Sequence, residues 1–287
     1  MPRLVVVMPA KNAASTITSA LGSTLRNLPK DSKIVVWNDG STDQTLNAID
    51  AVADSRVEVI SSASSLGGGA ARAALLQRTD SEFVANMDAD DYCFPWRFSI
   101  QQKHVEKFDI SFTATVKFGG RFRDLRPTNP LTYDATEVAL SLAFHNALSH
   151  PSMYARRAAL DKAGGYRDLK VAQDYDLWLR AAATGQRMGR IGVPCVGYRQ
   201  ARNQVSRQTG YAERIRAQSE LSHAFVELLE AVEPGVGQRF SSLTSPAEKD
   251  ACLESFLSKQ LWKFRPSLRA YYSRLLRQKR LGPLAVA

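Results

Sequence analysis

Cysteine is scarce in this 287-residue chain. Cys93, Cys195 and Cys252 are three in number and far apart, so neither a disulfide framework nor a Cys-x-x-Cys metal knuckle can be built. A reduced, cytosolic setting fits that usage. No stretch approaches eighteen consecutive apolar residues, which leaves no candidate for a spanning helix. The apolar run Leu4–Met8 is too short for a signal peptide and is closed by Pro9, so it reads as a buried strand. The four histidines (His104, His145, His150, His223) lack the spacings of a zinc site. Internal repeats and low-complexity tracts are missing too. Between Lys259 and Arg280 there is no acidic residue at all.

What is present is the composition of a globular protein, 44% hydrophobic and 23% charged, with a net charge of +10. The length allows one large domain, or a core domain with an appendage. Most of the excess charge is in the acid-free segment, where Lys259, Lys263, Arg265, Arg269, Arg274, Arg277, Lys279 and Arg280 follow one another. Such a block predicts a polyanionic neighbour: a membrane surface, a phosphate-bearing substrate or nucleic acid.

Through the first ninety residues strands and helices alternate. Strands are expected at Leu4–Met8, Lys33–Trp37, Arg56–Ile60 and Glu82–Met87. Helices are expected through Ile17, Leu21 and Leu25, over Thr42–Val52 behind a Ser41-x-x-Gln44 capping box, and over Ala70–Leu76. This is the pattern of βαβ units, a doubly wound α/β sheet with helices on both faces. Further on, Ile110–Phe118 and Gly189–Val196 read as strands, and Thr136–Phe144 and Gln173–Ala183 as helices. From Tyr211 onward the pattern is helical.

Ligands of open α/β sheets bind beyond the carboxyl ends of the strands. The residues there are polar: Pro9-Ala10-Lys11-Asn12, Asn38-Asp39-Gly40-Ser41 and Asp88-Ala89-Asp90-Asp91. Three carboxylates within four residues repel one another unless a cation joins them, and hard divalent ions take such oxygens. The plainer reading is an acidic helix cap. Gly67-Gly68-Gly69 before a helix could cradle a phosphate with Arg72 beside it, or be a flexible loop.

Taken in order, Pro9–Asn12, Asn38–Asp43, Gly69–Arg72, Asp88–Asp91 and Gln173–Arg180 resemble glycosyltransferase family 2, whose members are inverting GT-A enzymes using nucleotide-sugar donors. The likeness covers about the first 210 residues and includes His150–Met153 and Gly164–Tyr166. It implies a GT-A fold over residues 1–210, with a nucleotide-sugar half (1–91) and an acceptor half (92–210), followed by a helical, basic extension (211–287). It further implies that Asp39 and the Pro9, Ala10, Lys11, Asn12 segment hold the nucleotide base, usually uracil. Arg72 would lie near base and diphosphate, Asp88 on the ribose side with Ala89 also in the nucleotide-sugar site, Asp90 (with Asp88 as a further candidate) on Mg²⁺ or Mn²⁺, and Asp174 would be the catalytic base. Gln173 stands where the family often has Glu, Asn38 where Asp is frequent, and Ala201 where many relatives have a His. That last change removes a late metal ligand.

The expected activity is therefore inverting transfer from a nucleotide-diphosphate sugar, a UDP-sugar in the first instance, to a hydroxyl of a glycan or lipid-linked acceptor. A carboxylate is needed to take the hydroxyl proton, and a cation to offset charge on the leaving diphosphate. Asp176 and Trp178 are expected to be structural. The chain would be cytoplasmic, or peripheral on the inner face of a membrane. There Leu268, Tyr272, Leu275 and Leu276 would form the apolar stripe of an interfacial helix, or else pack on the domain. Two alternatives are a nucleic-acid acceptor stacked on Trp262, Tyr271 and Tyr272, and a non-catalytic nucleotide-sugar-binding relative. Lys117–Arg126 reads as an acceptor lid or as a plain hairpin.

Overall fold

The structure, a computed structural model, describes residues 2–119, 124–200 and 209–278. The elements run β1 (Leu4–Ala10), α1 (Ile17–Leu25), β2 (Ser32–Asp39), α2 (Thr45–Asp50), β3 (Val57–Ser62), α3 (Gly68–Gln77), β4 (Phe83–Asn86), β5 (Tyr92–Cys93), α4 (Arg97–Gln102) and β6 (Ile110–Phe118). They continue with β7 (Arg126–Pro127), α5 (Ala135–Phe144), β8 (Tyr154–Arg156), α6 (Arg157–Lys162), α7 (Gln173–Ala183) and β9 (Met188–Arg199). Five helices close the chain: α8 (Tyr211–Arg216), α9 (Ser219–Val232), α10 (Val236–Ser242), α11 (Pro246–Gln260) and α12 (Pro266–Arg277).

The sheet order is β3-β2-β1-β4-β8-β6-β9-β5, with β7 added beside β6. Strands β1 to β4 are parallel to one another, as the βαβ spacing predicts. β8 is antiparallel to both β4 and β6, and β9 is parallel to β6. Two reversals cancel, so the carboxyl ends of β6 and β9 lie on the same edge of the sheet as those of β1, β2 and β4. Most of the paired strand length is parallel.

Strand alternation divides the core in two. Leu4, Val6, Met8, Ile34, Val36, Phe83 and Ala85 face one side, where α1, α2 and α4 cover them with Ile17, Leu21, Ile49 and Phe98. Val5, Val7, Val35, Trp37, Val84, Ile110 and Phe112 face the other, beneath α3, α5 and α7. The C-terminal helices join this second core: Leu221, Phe225, Leu228, Phe256, Leu257, Phe264, Leu268 and Tyr272 are buried in it. Tyr272 stacks on Phe264 at 4.4 Å and tilts against Phe144 at 4.7 Å between ring centroids.

One local expectation is corrected and one open alternative is decided. The Ser41–Gln44 capping box does not form, and α2 starts only at Thr45, with no side-chain cap from Gln44. Ser41 Oγ instead accepts the Asn12 amide, and Asp43 accepts from the amides of Thr45 and Ala14. A capping box is present at α5, where Asp134 and Glu137 satisfy each other's main-chain N–H groups. For α12, where two readings stood open, the structure takes the second. Leu268 and Tyr272 are fully buried and Leu275 and Leu276 pack against the same core, so its apolar stripe faces protein rather than lipid. Tyr272 is equally closed to base stacking. No helix among the described residues is long and apolar enough to cross a membrane. At the sheet edge opposite the carboxyl ends, Arg3, Glu82, Arg156, Glu106, Asp109 and Arg187 form a row of exposed ion pairs.

Candidate active site

The carboxyl-end rim brings together the ends of β1, β2, β3, β4, β6 and β9. At β1, Asn12 takes a left-handed conformation (φ 50°), which asparagine tolerates. Its side-chain oxygen accepts the Thr42 amide at 2.9 Å, tying the turn after β1 to the turn after β2. Pro9, Ala10 and Lys11 run beside Trp37 and Asn38 along this edge, with Ala10 buried and Lys11 exposed.

Asp39 ends β2 and is buried. Burial pushes its carboxyl up, but hydrogen bonds from Ser65 Oγ (2.7 Å) and the amides of Leu66 (2.7 Å) and Gly67 (3.1 Å) outweigh burial and hold it below the usual carboxylate range. Gly40 makes this approach possible. Its φ is +62°, and a Cβ there would lie 2.9 Å from Ser64 C and Ser65 N. Three of about four acceptor positions on Asp39 are thus occupied by the loop before α3.

After β4 come the three carboxylates. Asp88 is paired with Arg72 at 2.7 Å, so the cation expected near a diphosphate lies across the first aspartate. Ala89 is buried. Asp90 is pushed up to about 6, first by burial and then by the charge of Asp88. Asp91 is buried and accepts the Arg199 amide at 2.7 Å, and among the described residues its other oxygen has no hydrogen-bond partner. Burial and the two neighbouring carboxylates raise it as well. No closed cage of three His, Cys, Asp or Glu occurs among the described residues. An under-compensated set of hard oxygens still fits a divalent cation whose remaining ligands come from a phosphate and water.

Asp174 lies at the start of α7, two residues after Ala172, whose φ of 55° is a strained value for a residue with a Cβ. Burial raises the Asp174 carboxyl above its ordinary value, against hydrogen bonds from the Tyr175 amide and from Asn146. Asn146 Nδ2 donates to Asp174 Oδ2 at 2.9 Å. The orientation of this amide is fixed, because its Oδ1 accepts the Leu148 N–H at 3.2 Å. Asp174, Asn146, Arg72 and Asp88 line one cleft of about 530 Å³. Asp39, Asp90 and Pro9–Asn12 lie outside this lining, elsewhere on the rim.

In the cleft wall, His150 Nε2 lies 2.9 Å from Tyr166 Oη, and Asn86 Nδ2 donates to the same phenol at 2.8 Å. Burial, and then the charge of Arg72, holds the His150 imidazole well below its usual range. Asp176 is structural, as expected: it is fully buried and paired with Arg180 and Arg167. Trp178 is also structural, packed edge-on against Phe112 at 4.7 Å. Asn146 and Tyr211, which also lines the cleft, were not singled out by sequence for this site. No spacing rule links Asn146 to a partner 28 residues away. Ala201, residues 120–123 of the expected lid, and Lys279 and Arg280 lie outside the described residues.

The fold is similar to that of solved sugar-transferring enzymes. S. aureus TarS, residues 1–349 in complex with UDP-GlcNAc, superposes with a TM-score of 0.61 at 19% identity, over 90% of this chain and 72% of that one. The mannosyltransferase PcManGT from Pyrobaculum calidifontis, in complex with GDP-Man and Mn²⁺, gives 0.57 at 17% identity, over 97% and 85%. The fold is that of the GT-A glycosyltransferases. The family model of Glycosyl transferase family 2 matches residues 5–163, and the chain belongs to that family. Its relatives include the succinoglycan biosynthesis protein ExoU of Rhizobium meliloti (strain 1021), 27% identical over 310 residues, 91% of this chain and 89% of that protein. The UDP-Glc:alpha-D-GlcNAc-diphosphoundecaprenol beta-1,3-glucosyltransferase WfgD of Escherichia coli is 28% identical over 107 residues, 37% of this chain and 42% of its own length. The chain is a glycosyltransferase.

Proposed function

We propose that this glycosyltransferase moves a sugar, with inversion, from a UDP-sugar to a hydroxyl of a glycan or lipid-linked acceptor. The observation that carries the reading is Asp174: a half-buried carboxylate of raised pKa, oriented by Asn146, in the same cleft as Asp88 and Arg72. The acceptor oxygen attacks the anomeric carbon from the face opposite the phosphate. The carbon–oxygen bond to the diphosphate breaks, the nucleoside diphosphate leaves with the electron pair, and the hydroxyl proton passes to Asp174. Asp39 and the Pro9–Asn12 edge would receive the base, with Asp39 offering its remaining acceptor position. Asp90, with Asp88, would hold Mg²⁺ or Mn²⁺, which supplies Lewis-acid stabilisation of the leaving diphosphate. Arg72 releases or shares Asp88 as the diphosphate arrives. Relatives named for exopolysaccharide synthesis and for a lipid diphosphate acceptor support this acceptor class. The exposed Arg269, Arg274 and Arg277 of α12 offer an anionic membrane surface a purely electrostatic contact.

The test is thermal unfolding with UDP, GDP, dTDP, CDP and ADP, with and without Mn²⁺, on the wild type and Asp90→Ala. One diphosphate is expected to raise the midpoint in a metal-dependent way that Asp90→Ala abolishes. A flat response to all five would sink the donor-site reading.

A further inference from the structure

The cleft carries two charges that the proposed chemistry does not use. Lys117, half-buried, is the penultimate residue of β6, and Lys170, exposed, lies on the segment entering α7; both line the cleft that holds Asp174. Among the described residues neither has a carboxylate within ion-pair distance, whereas Arg72, the third cation there, is matched by Asp88. A partly buried lysine at the cleft wall with no carboxylate in ion-pair distance is placed to take an anionic ligand. Its place in the sheet separates it from the donor carboxylates. β6 lies two strands from β4, roughly 10 Å at ordinary strand spacing. Tyr198 is in register with Lys117 on β9, so the two side chains leave the same face of the sheet. Lysine serves as a point-charge ligand for phosphate.

We propose that the acceptor bears a phosphate or diphosphate next to its reacting sugar, and that Lys117, with Lys170, reads that charge. The proposal rests on the assignment of the Asp174 cleft as the place of transfer. Two sources share this chemistry, the diphosphate of a lipid-linked acceptor and a phosphodiester within a glycan.

The test is calorimetric binding to the full chain saturated with UDP and Mg²⁺. The three probes share sugar and lipid: citronellyl diphospho-N-acetylglucosamine, citronellyl phospho-N-acetylglucosamine and the neutral citronellyl glycoside. The charged probes are expected to bind at least about tenfold more tightly than the neutral one. Lys117→Gln should erase most of that preference, with Lys117→Arg retaining it and UDP affinity unchanged. Preference for the diphosphate alone indicates the lipid-linked source, and equal binding of both charged probes the wider class. Equal binding of charged and neutral probes, or no binding of the charged ones, overturns the proposal. So does a Lys117→Gln loss that falls equally on UDP, which would assign the lysine to the donor. Failure of UDP itself to bind would instead count against the donor-site reading.

Discussion

A carboxylate that takes a proton from a sugar hydroxyl gains from being a stronger base than an ordinary aspartate, and burial would do this for Asp174 in the role proposed for it. The same burial has a stability cost. With the folded pKa raised above the unfolded one, Asp174 favours the fold at low pH, and that contribution is lost as pH rises through the folded value. Asp174→Asn should therefore cut transfer by about 10²–10⁴-fold while raising the melting temperature at neutral pH. Turnover assays and calorimetry on one preparation check this, and a lowered melting temperature would contradict it. Asn146 acts in the opposite sense, since its N–H favours the ionised carboxylate. Asn146→Ala should shift the acid limb of the kcat profile to higher pH, with donor affinity unchanged. A uniform loss at every pH would show that Asn146 only shapes the loop.

Among the elements, α5 and α12 are joined by one buried carboxylate. Glu137 closes the α5 capping box and takes hydrogen bonds from the Arg265 amide at 3.0 Å and its guanidinium at 2.7 Å. Burial raises the Glu137 carboxyl, and the bonds from Arg265 and Asp134 more than reverse this, leaving it below the ordinary glutamate range. Its stabilising effect is present above the unfolded pKa and lost as pH falls through the folded value. Glu137→Gln should cost about 2 kcal/mol at neutral pH, and the gap from wild type should close in urea melts taken in acid. The two capping patterns show how far sequence reaches. Ser41-x-x-Gln44 and Asp134-x-x-Glu137 look alike as strings. The first fails because Asn12, nearly thirty residues earlier, engages Ser41 and Thr42 across the rim. Helix α7 was legible to the residue, since Leu177, Trp178 and Ala181 recur at helical spacing and are all buried. The carboxylates of the rim were legible because they follow apolar strands. Their partners were not: Arg72 on Asp88, Ser65–Gly67 on Asp39 and Asn146 on Asp174 are contacts that only the folded chain creates.

At the scale of the whole molecule, the C-terminal helices share the core beneath α5 and α7. Burial of Leu221, Phe225, Leu228, Leu229, Phe256, Leu257, Phe264, Leu268 and Tyr272 contributes on the order of 15 kcal/mol, as much as the entire net stability of an ordinary domain. A chain ending at residue 210 is expected to lose cooperative unfolding and its response to nucleotides. Circular dichroism melts of that shorter chain against the full one check this. A sharp transition in the shorter chain would show that residues 1–210 stand alone.

The row of ion pairs at the edge away from the cleft, from Arg3–Glu82 to Arg187–Asp109, has a practical meaning. Exposed pairs of this kind contribute little each and are screened by salt, so that edge tolerates change at small cost. The molecule has a working side and a handling side. A fluorophore, a resin or a fused partner attached at the handling side would leave every group of the cleft facing open solution. Immobilised in that orientation, the protein could be offered one acceptor after another on a surface without being moved.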